Sequence, residues 1–293
     1  ELGVNMSSQS SRTSRTIMMT VALVVALVAG LTLTFPGAAS AIATRVIHPV
    51  PAPPAAPKSD KQIQNLDQVT TAIKGYYGDT ATATPDPVTG LTTLHEPAAN
   101  GRWAKQASGT ARTITKYIKG NKWKKAKSKA FNRRHPNKAI LFDVDDTSLV
   151  TYDYEIYSNF VYNPTSNAAF VNGAVFPGVP GMAAMAQYAA SHGYTVFFLT
   201  GRPEAQRAGT ITNLTKAGFP VASADLYLKD QTKPWLASCA PACSTIQYKS
   251  LTRGYIESQG FNIVANAGDQ FSDLKGGHAR KTFKMPNPMY FLP

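Results

Sequence analysis

Cysteine and histidine are scarce in this chain. Its 293 residues include two cysteines and five histidines (His48, His95, His135, His192 and His278). The histidines show no spacing that builds a zinc site or a proton relay. Cys239 and Cys243 sit in Cys239-Ala240-Pro241-Ala242-Cys243 with no histidine nearby, so a zinc site lacks ligands. A close pair in an exported chain reads instead as a disulfide, which pins a loop and adds little to global stability. Acidic residues are missing altogether between Arg102 and Lys138, a stretch with thirteen lysines and arginines. The chain's net charge is +13, so the remainder is neutral and the basic character belongs to one segment. No internal repeat is present.

A hydrophobic content of 43% excludes wholesale disorder. One long apolar run occurs, Ile17 to Leu33, interrupted by Thr20, Gly30 and Thr32. Arg12 and Arg15 precede it; Pro36 and Gly37 follow, then small residues at Ala39-Ser40-Ala41 and Ala41-Ile42-Ala43. That order matches a secretory signal peptide over residues 1–43, with Met6 as its start and cleavage near Ala41 or Ala43. An uncleaved membrane anchor is the alternative, because the run approaches spanning length. Either reading places the rest of the chain outside the cytoplasm.

Residues 44–58 are Pro/Ala-rich and read as an extended linker. Ser59 and Gln62 form a capping-box pattern, and Ile63, Leu66, Val69 and Ile73 follow at helical spacing, ending near Gly75 and Gly78. Residues 80–101 read as loop. The spacing from Arg102 to Phe131 predicts helix in pieces, broken at Gly109 and at Gly120-Asn121. Together these make 59–137 a helical, basic N-terminal region. Trp103, Tyr117, Trp123 and Phe131 are interleaved with its lysines and arginines. Such a mixture suits non-specific contact with a polyanion, whether nucleic acid, an anionic wall polymer or a phospholipid surface, and no specific nucleic-acid recognition is expected. The competing reading is a solvated helix face with its aromatics in the core.

From Lys138 onward short apolar strands alternate with helices. The strands are Ala139–Val144, Tyr194–Leu199, Leu226–Leu228 and Asn262–Ala267. The helices run from Pro177–Pro180 to Gly193, from Glu204 to Ala217-Gly218, and over about Ser250–Gln259. This alternation predicts an α/β fold with a doubly wound, Rossmann-like parallel sheet over 138–293.

Two acidic clusters follow strands: Asp143-Val144-Asp145-Asp146-Thr147, and Gly268-Asp269 with Asp273 four residues on. In an open α/β sheet, loops at the carboxyl ends of strands share one crevice. Carboxylates crowded there repel one another and call for a cation. Oxygen donors without histidine or cysteine favour a hard ion, most simply Mg²⁺. Metal-assisted chemistry on a phosphate is the consequence, with a carboxylate available as nucleophile. Residues two apart on extended backbone face the same way, so Asp143 and Asp145 can address one phosphorus.

These motifs resemble those of haloacid dehalogenase (HAD) superfamily phosphatases, in the class B acid phosphatase and plant vegetative storage protein branch. The resemblance covers Lys138 to the C-terminus. It implies that Asp143 is the nucleophile of an aspartyl-phosphate pathway and Asp145 the general acid and base. It implies that Thr200 and Gly201, after Val196-Phe197-Phe198-Leu199, hold a phosphoryl oxygen. Arg202 either joins them or forms an ion pair with Glu204 or a neighbour. Lys249, in Tyr248-Lys249-Ser250 with Arg253 four residues on, matches the branch's charge-offsetting lysine better than Lys229 does. Mg²⁺ would be held by Asp143, Asp145 (through its main-chain carbonyl), Asp269 directly and Asp273 through water or an indirect contact, and Gly276-Gly277 would keep that last loop close. The implied substrate is a small phosphomonoester. Residues 151–175 form a short, aromatic-rich cap insertion whose Tyr154, Tyr157, Phe160 and Tyr162 either pack together or stack an aryl or nucleoside group. An exported storage or polyanion-binding protein with weak or no turnover is the alternative function.

Overall fold

The computed structural model describes residues 58–59, 65–83, 85, 88, 90, 93–120 and 129–292. The signal read at 1–43, the linker at 44–57, Gln62 and Trp123 lie outside them. The sheet has five strands in the order β5-β4-β3-β6-β7, all parallel: β3 (Asn137–Phe142), β4 (Tyr194–Pro203), β5 (Leu226–Lys229), β6 (Phe261–Gly268) and β7 (Lys281–Lys284). β3 is central because both of its faces are covered. Ala139 and Leu141 pack on one side with Phe197, Leu199 and Ile263, and Ile140 and Phe142 pack on the other with Val196, Phe198 and Val264. Continuous apolar runs of this kind are what two-sided burial of a parallel strand requires. β7 escaped the sequence reading because Lys281-Thr282-Phe283-Lys284 buries a single side chain, Phe283.

Helices α6 (Met182–Ser191), α7 (Arg207–Lys216) and α8 (Thr245–Ser258) connect the strands. α8 begins five residues before the expected Ser250. Its start is a capping box in which Ser244 accepts from the Gln247 amide and the Gln247 side chain accepts from the Ser244 amide. A disulfide joins Cys239 and Cys243 just ahead of that cap.

The N-terminal region departs most from expectation. α1 (Leu66–Tyr77) runs through Gly75 and ends at Gly78, which adopts the left-handed conformation (φ 69°). The stretch expected as loop contains a small antiparallel pair, β1 (Thr80–Thr82) with β2 (Leu94–Glu96). α2 (Arg102–Lys119) is one unbroken helix through Gly109, and α3 (Lys129–Arg134) leads into β3. A glycine costs a helix roughly 1 kcal/mol relative to alanine, which the buried face of Trp103, Ala107, Ala111, Ile114 and Ile118 offsets. Trp103 donates its indole N–H to the Pro286 carbonyl at 3.0 Å and stacks on Tyr77, which stacks in turn on Tyr152. α1 and α2 are therefore part of the core that supports the sheet. Among the described residues no helix is long and apolar enough to cross a membrane.

Candidate active site

β3 ends at Phe142, and the next amide, of Asp143, still donates to the Ala267 carbonyl of β6 at 2.9 Å. The chain then turns sharply. Ser148 donates its hydroxyl to the Asp143 carbonyl, the Asp146 amide donates to Leu149, and Asp146 takes a positive φ of 50°. This turn brings Asp143 and Asp145 out over the carboxyl end of the sheet. There β6 delivers Asp269, and α9 (Phe271–Leu274) delivers Asp273.

Asp143, Asp269 and Asp273 are buried, and one carboxylate oxygen from each lies within 4.8 Å of the others. Ligands about 2.1 Å from a shared Mg²⁺ lie at most about 4.2 Å apart, so a small contraction suffices for one ion to touch all three. The donors are all oxygen, which fits a hard divalent cation. Lys249 Nζ contacts Asp143 Oδ1, lies 2.9 Å from Asp273 Oδ1 and donates to the Leu199 carbonyl at 2.7 Å. Burial alone would lower the lysine, but the two carboxylates outweigh it and keep it charged. Asp143 is pushed up by burial, against the pull of Lys249, with Asp273 and Asp269 adding to the push. Asp269 rises to about 7, first through burial and then through Asp273 and Asp146. A divalent cation would oppose both displacements by favouring the ionised carboxylates.

Several residues that hold this cluster had no counterpart in the sequence reading. Asn287 and Gln270 donate to Asp269 Oδ2 at 2.8 and 2.6 Å, and Thr147 donates to its Oδ1. Tyr290 donates to Asp146 Oδ2 at 2.7 Å, and the Thr151 hydroxyl donates to the same oxygen at 2.5 Å. Burial nonetheless raises Asp146 to about 6. Arg253 lies on the helix face of Lys249 as its spacing implied. Its guanidinium donates to the carbonyls of Asp273, Lys275 and Gly277, clamping the loop after α9. Gly268 permits the close approach of that loop: a Cβ there would stand 2.4 Å from the Asp273 Cβ.

The other expected residues have definite partners. Asp145 turns its side chain away from the other carboxylates. Its carboxylate accepts from Arg202 Nη2 at 2.6 Å and from Nε at 3.1 Å, which leaves the main-chain carbonyl as the ligand group the sequence reading expected. Arg202 is accordingly committed to Asp145 and, through Nη1, to Thr210, while Glu204 pairs with Arg207. Thr200 is fully buried and its hydroxyl oxygen accepts from the Arg202 amide, so it shapes the turn into the cavity wall that Gly201 and Arg202 form. Lys229, the rival lysine, ends β5 away from this wall and is lowered by burial and by the charge of Lys249. His278 pairs with Glu257 outside the cavity.

The carboxylates and Lys249 line a cavity of about 260 Å³. Its outer wall comes from the cap helices α4 (Tyr152–Tyr157) and α5 (Pro164–Gly173) and the turn between them, through Tyr154, Phe160, Tyr162 and Asn167. The aromatics divide between packing and the cavity wall. Tyr152 and Tyr154 are buried, and Tyr154 ties the two helices by donating to the Asn163 carbonyl and accepting from its amide. Tyr162 stays half exposed at the cavity.

A doubly wound sheet with three acids and a buried lysine gathered at its carboxyl edge defines a centre for an anionic ligand, with oxygen donors for a hard cation. Comparison with known proteins gives that class a name. The chain belongs to the HAD superfamily, subfamily IIIB (acid phosphatase), whose model matches residues 89–293. The match begins upstream of the expected Lys138 and takes in α2, in keeping with the place of Trp103 in the core. Stem 28 kDa glycoprotein of Glycine max is 34% identical over 163 residues, covering 54% of this chain and 61% of that one. Acid phosphatase 1 of Solanum lycopersicum is 34% identical over 157 residues, covering 52% and 58%. The chain thus spans about six-tenths of these relatives. The class C acid phosphatase of Bacillus anthracis shares the fold, with a TM-score of 0.52 at 21% identity over 66% of this chain and 80% of that one.

Proposed function

We propose that the chain is an exported phosphomonoesterase of the acid phosphatase type that depends on a divalent cation, most simply Mg²⁺, and works through an aspartyl-phosphate at Asp143. The observation that carries this reading is the convergence of Asp143, Asp269 and Asp273 around Lys249 on the wall of one cavity. Export rests on the apolar run and small-residue pattern of residues 12–43 alone.

Asp143, Asp269 and Asp273 would hold the cation, which when bound offsets the charge of the phosphate and of its attacking group. Lys249 adds a fixed positive charge beside the attacking oxygen. A carboxylate oxygen of Asp143 bonds to phosphorus as the ester oxygen leaves, and Asp145 gives that oxygen its proton. Water then attacks the phosphoryl group, Asp145 takes the proton back, and Asp143 is regenerated as phosphate departs. The Gly201 amide, on the cavity wall, and the Thr200 hydroxyl behind it are the donors the resemblance assigns to the equatorial oxygens. Small phosphomonoesters suit the cavity's volume, and its aromatic outer wall favours a flat leaving group.

Hydrolysis of an aryl phosphate, assayed with and without EDTA and with Asp143→Asn, tests the reading. Metal-dependent release by the wild type and none by the variant supports it. No release by the wild type, or undiminished release by Asp143→Asn, favours an exported storage protein with this fold.

A further inference from the structure

The basic stretch takes no part in the phosphate site, and its position in the fold is distinctive. α2 runs against the strands. Trp103, near its start, reaches Pro286 beyond the carboxyl end of β7. At its far end Lys119 lies over Tyr188, near the close of α6. Lys281, which opens β7, lies over Tyr117, and Lys138, near the start of β3, lies over Tyr194 at the start of β4. α3 with Arg133 and Arg134 leads directly into the amino end of β3. The cations thus gather at the amino ends of the strands, and the carboxylates of the phosphate site gather at the carboxyl ends. Lys116, Lys119, Arg133, Arg134 and Lys281 are exposed, and among the described residues none has a carboxylate within ion-pair distance. Acids near this end are Asp225, ahead of β5, and Glu257, which is engaged by His278.

We propose that the amino end of the sheet is a binding face for a phosphodiester polymer, held through its backbone charges while the phosphate site stays open at the opposite end. The face has charge to offer and little else. Four described aromatic rings there are covered by cations: Tyr117, Tyr188 and Tyr194 by lysines, Phe131 by Arg280. Bases would find these four rings already occupied. The large exposed apolar side chains, such as Leu66, Val161, Tyr162 and Phe271, belong to other parts of the molecule, so among the described residues this end offers no large apolar side chain to a bilayer. Cations spread over an end roughly 20 Å wide, as five strands about 4.8 Å apart require, match closely spaced anions better than one small ion. Neutralising several at once releases several counterions. Internal diesters also lack the monoester group that the site would consume; this clause alone rests on the phosphomonoesterase reading.

The test is fluorescence anisotropy of a labelled 20-base-pair duplex DNA (about two helical turns, enough to span the face) with the full chain, titrated across salt. The variant is Lys116→Gln, Lys119→Gln, Arg133→Gln and Arg134→Gln combined, with a second carrying Lys116→Arg and Lys119→Arg. The wild type binds with affinity falling steeply with salt. The glutamine variant loses at least about tenfold, and its log–log salt slope drops by about 0.9 per phosphate contact removed. The arginine variant binds like the wild type, all three unfold at the same temperature, and saturating inorganic phosphate does not displace the DNA. No binding, binding untouched by the glutamine variant, displacement by phosphate, or preference for anionic vesicles over DNA would each overturn the proposal. Aryl-phosphate turnover is followed in parallel, so a failed phosphatase reading registers separately from a failed binding face.

Discussion

Arg202 grips Asp145 with a fork: Nη2 stands 2.6 Å from Oδ1, and Nε stands 3.1 Å from Oδ2 and 3.2 Å from Oδ1. The arginine side chain is buried and further fixed by Thr210, whereas the aspartate is partly open to the cavity. The pair therefore acts in one direction, with the fixed guanidinium orienting the movable carboxylate. Lysine cannot reproduce a fork of this kind.

Arg202→Lys should for that reason misplace the proton donor. Substrates with poor alkyl leaving groups need the proton most, so their turnover should fall on the order of tenfold or more relative to activated aryl esters. Measuring kcat/KM across a series of leaving groups reads the effect as a steeper dependence on leaving-group acidity. An equal loss across the series would assign Arg202 to phosphate binding instead.

Lys249→Met keeps the length of the side chain and removes its charge. Asp143 and Asp273 would be left buried without their cation partner, a change that costs about 3–5 kcal/mol when a buried pair is broken. Metal-free protein should unfold at a lower denaturant concentration, and Mg²⁺ should restore part of that stability. Turnover should stay down on the order of 10²–10³-fold, because the ion does not replace a donor placed beside the attacking oxygen.

Stability of the metal-free protein should fall as pH rises. Asp146 and Asp269 sit at about 6 and about 7, above their ordinary 3.8. The folded chain therefore holds protons that the unfolded chain releases. Their contribution is fully present below pH 3.8 and is lost as pH climbs through about 6 and then about 7. Mg²⁺ needs the ionised carboxylates, so its stabilising effect should be larger at pH 7 than at pH 5. Thermal unfolding at several pH values, with and without the ion, checks both signs. Stability that rises over this window without metal would contradict the account.

Gly268→Ala should weaken metal binding more than it weakens the fold. Its Cβ would press on Asp273 at 2.4 Å and 2.6 Å, against Cβ and Oδ2 respectively. The expected result is a higher Mg²⁺ concentration for half-maximal stabilisation, read by calorimetric titration, with the circular-dichroism spectrum unchanged.

The parallel sheet and the chemistry-bearing side chains were legible in the sequence wherever one short stretch carried the whole signal. β3, β4 and β6 are apolar on both faces, and the acids follow them directly. Lys249 could be read because Arg253 stands one helical turn away on the same face. The orienting residues could not. Asn287 and Tyr290 belong to a tail without periodicity, and they reach Asp269 and Asp146 only through tertiary folding. α2 was misread because Gly109 counts against helix locally, whereas the buried face around it decides the outcome. Arg202 could be placed near the site, but its choice of Asp145 over a phosphate or Glu204 depends on the turn at Asp146, which no local pattern specifies.

The central claim concerns what happens at Asp143, and trapping the enzyme in the act tests it most directly. Protein turning over an aryl phosphate with Mg²⁺ is quenched in acid, digested and mapped by mass spectrometry. The account predicts a hydroxylamine-sensitive phosphoryl group on the peptide containing Asp143, lost when EDTA is added and missing from Asp143→Asn. Rapid turnover with no phosphorylated peptide, or with the label on another residue, would contradict it.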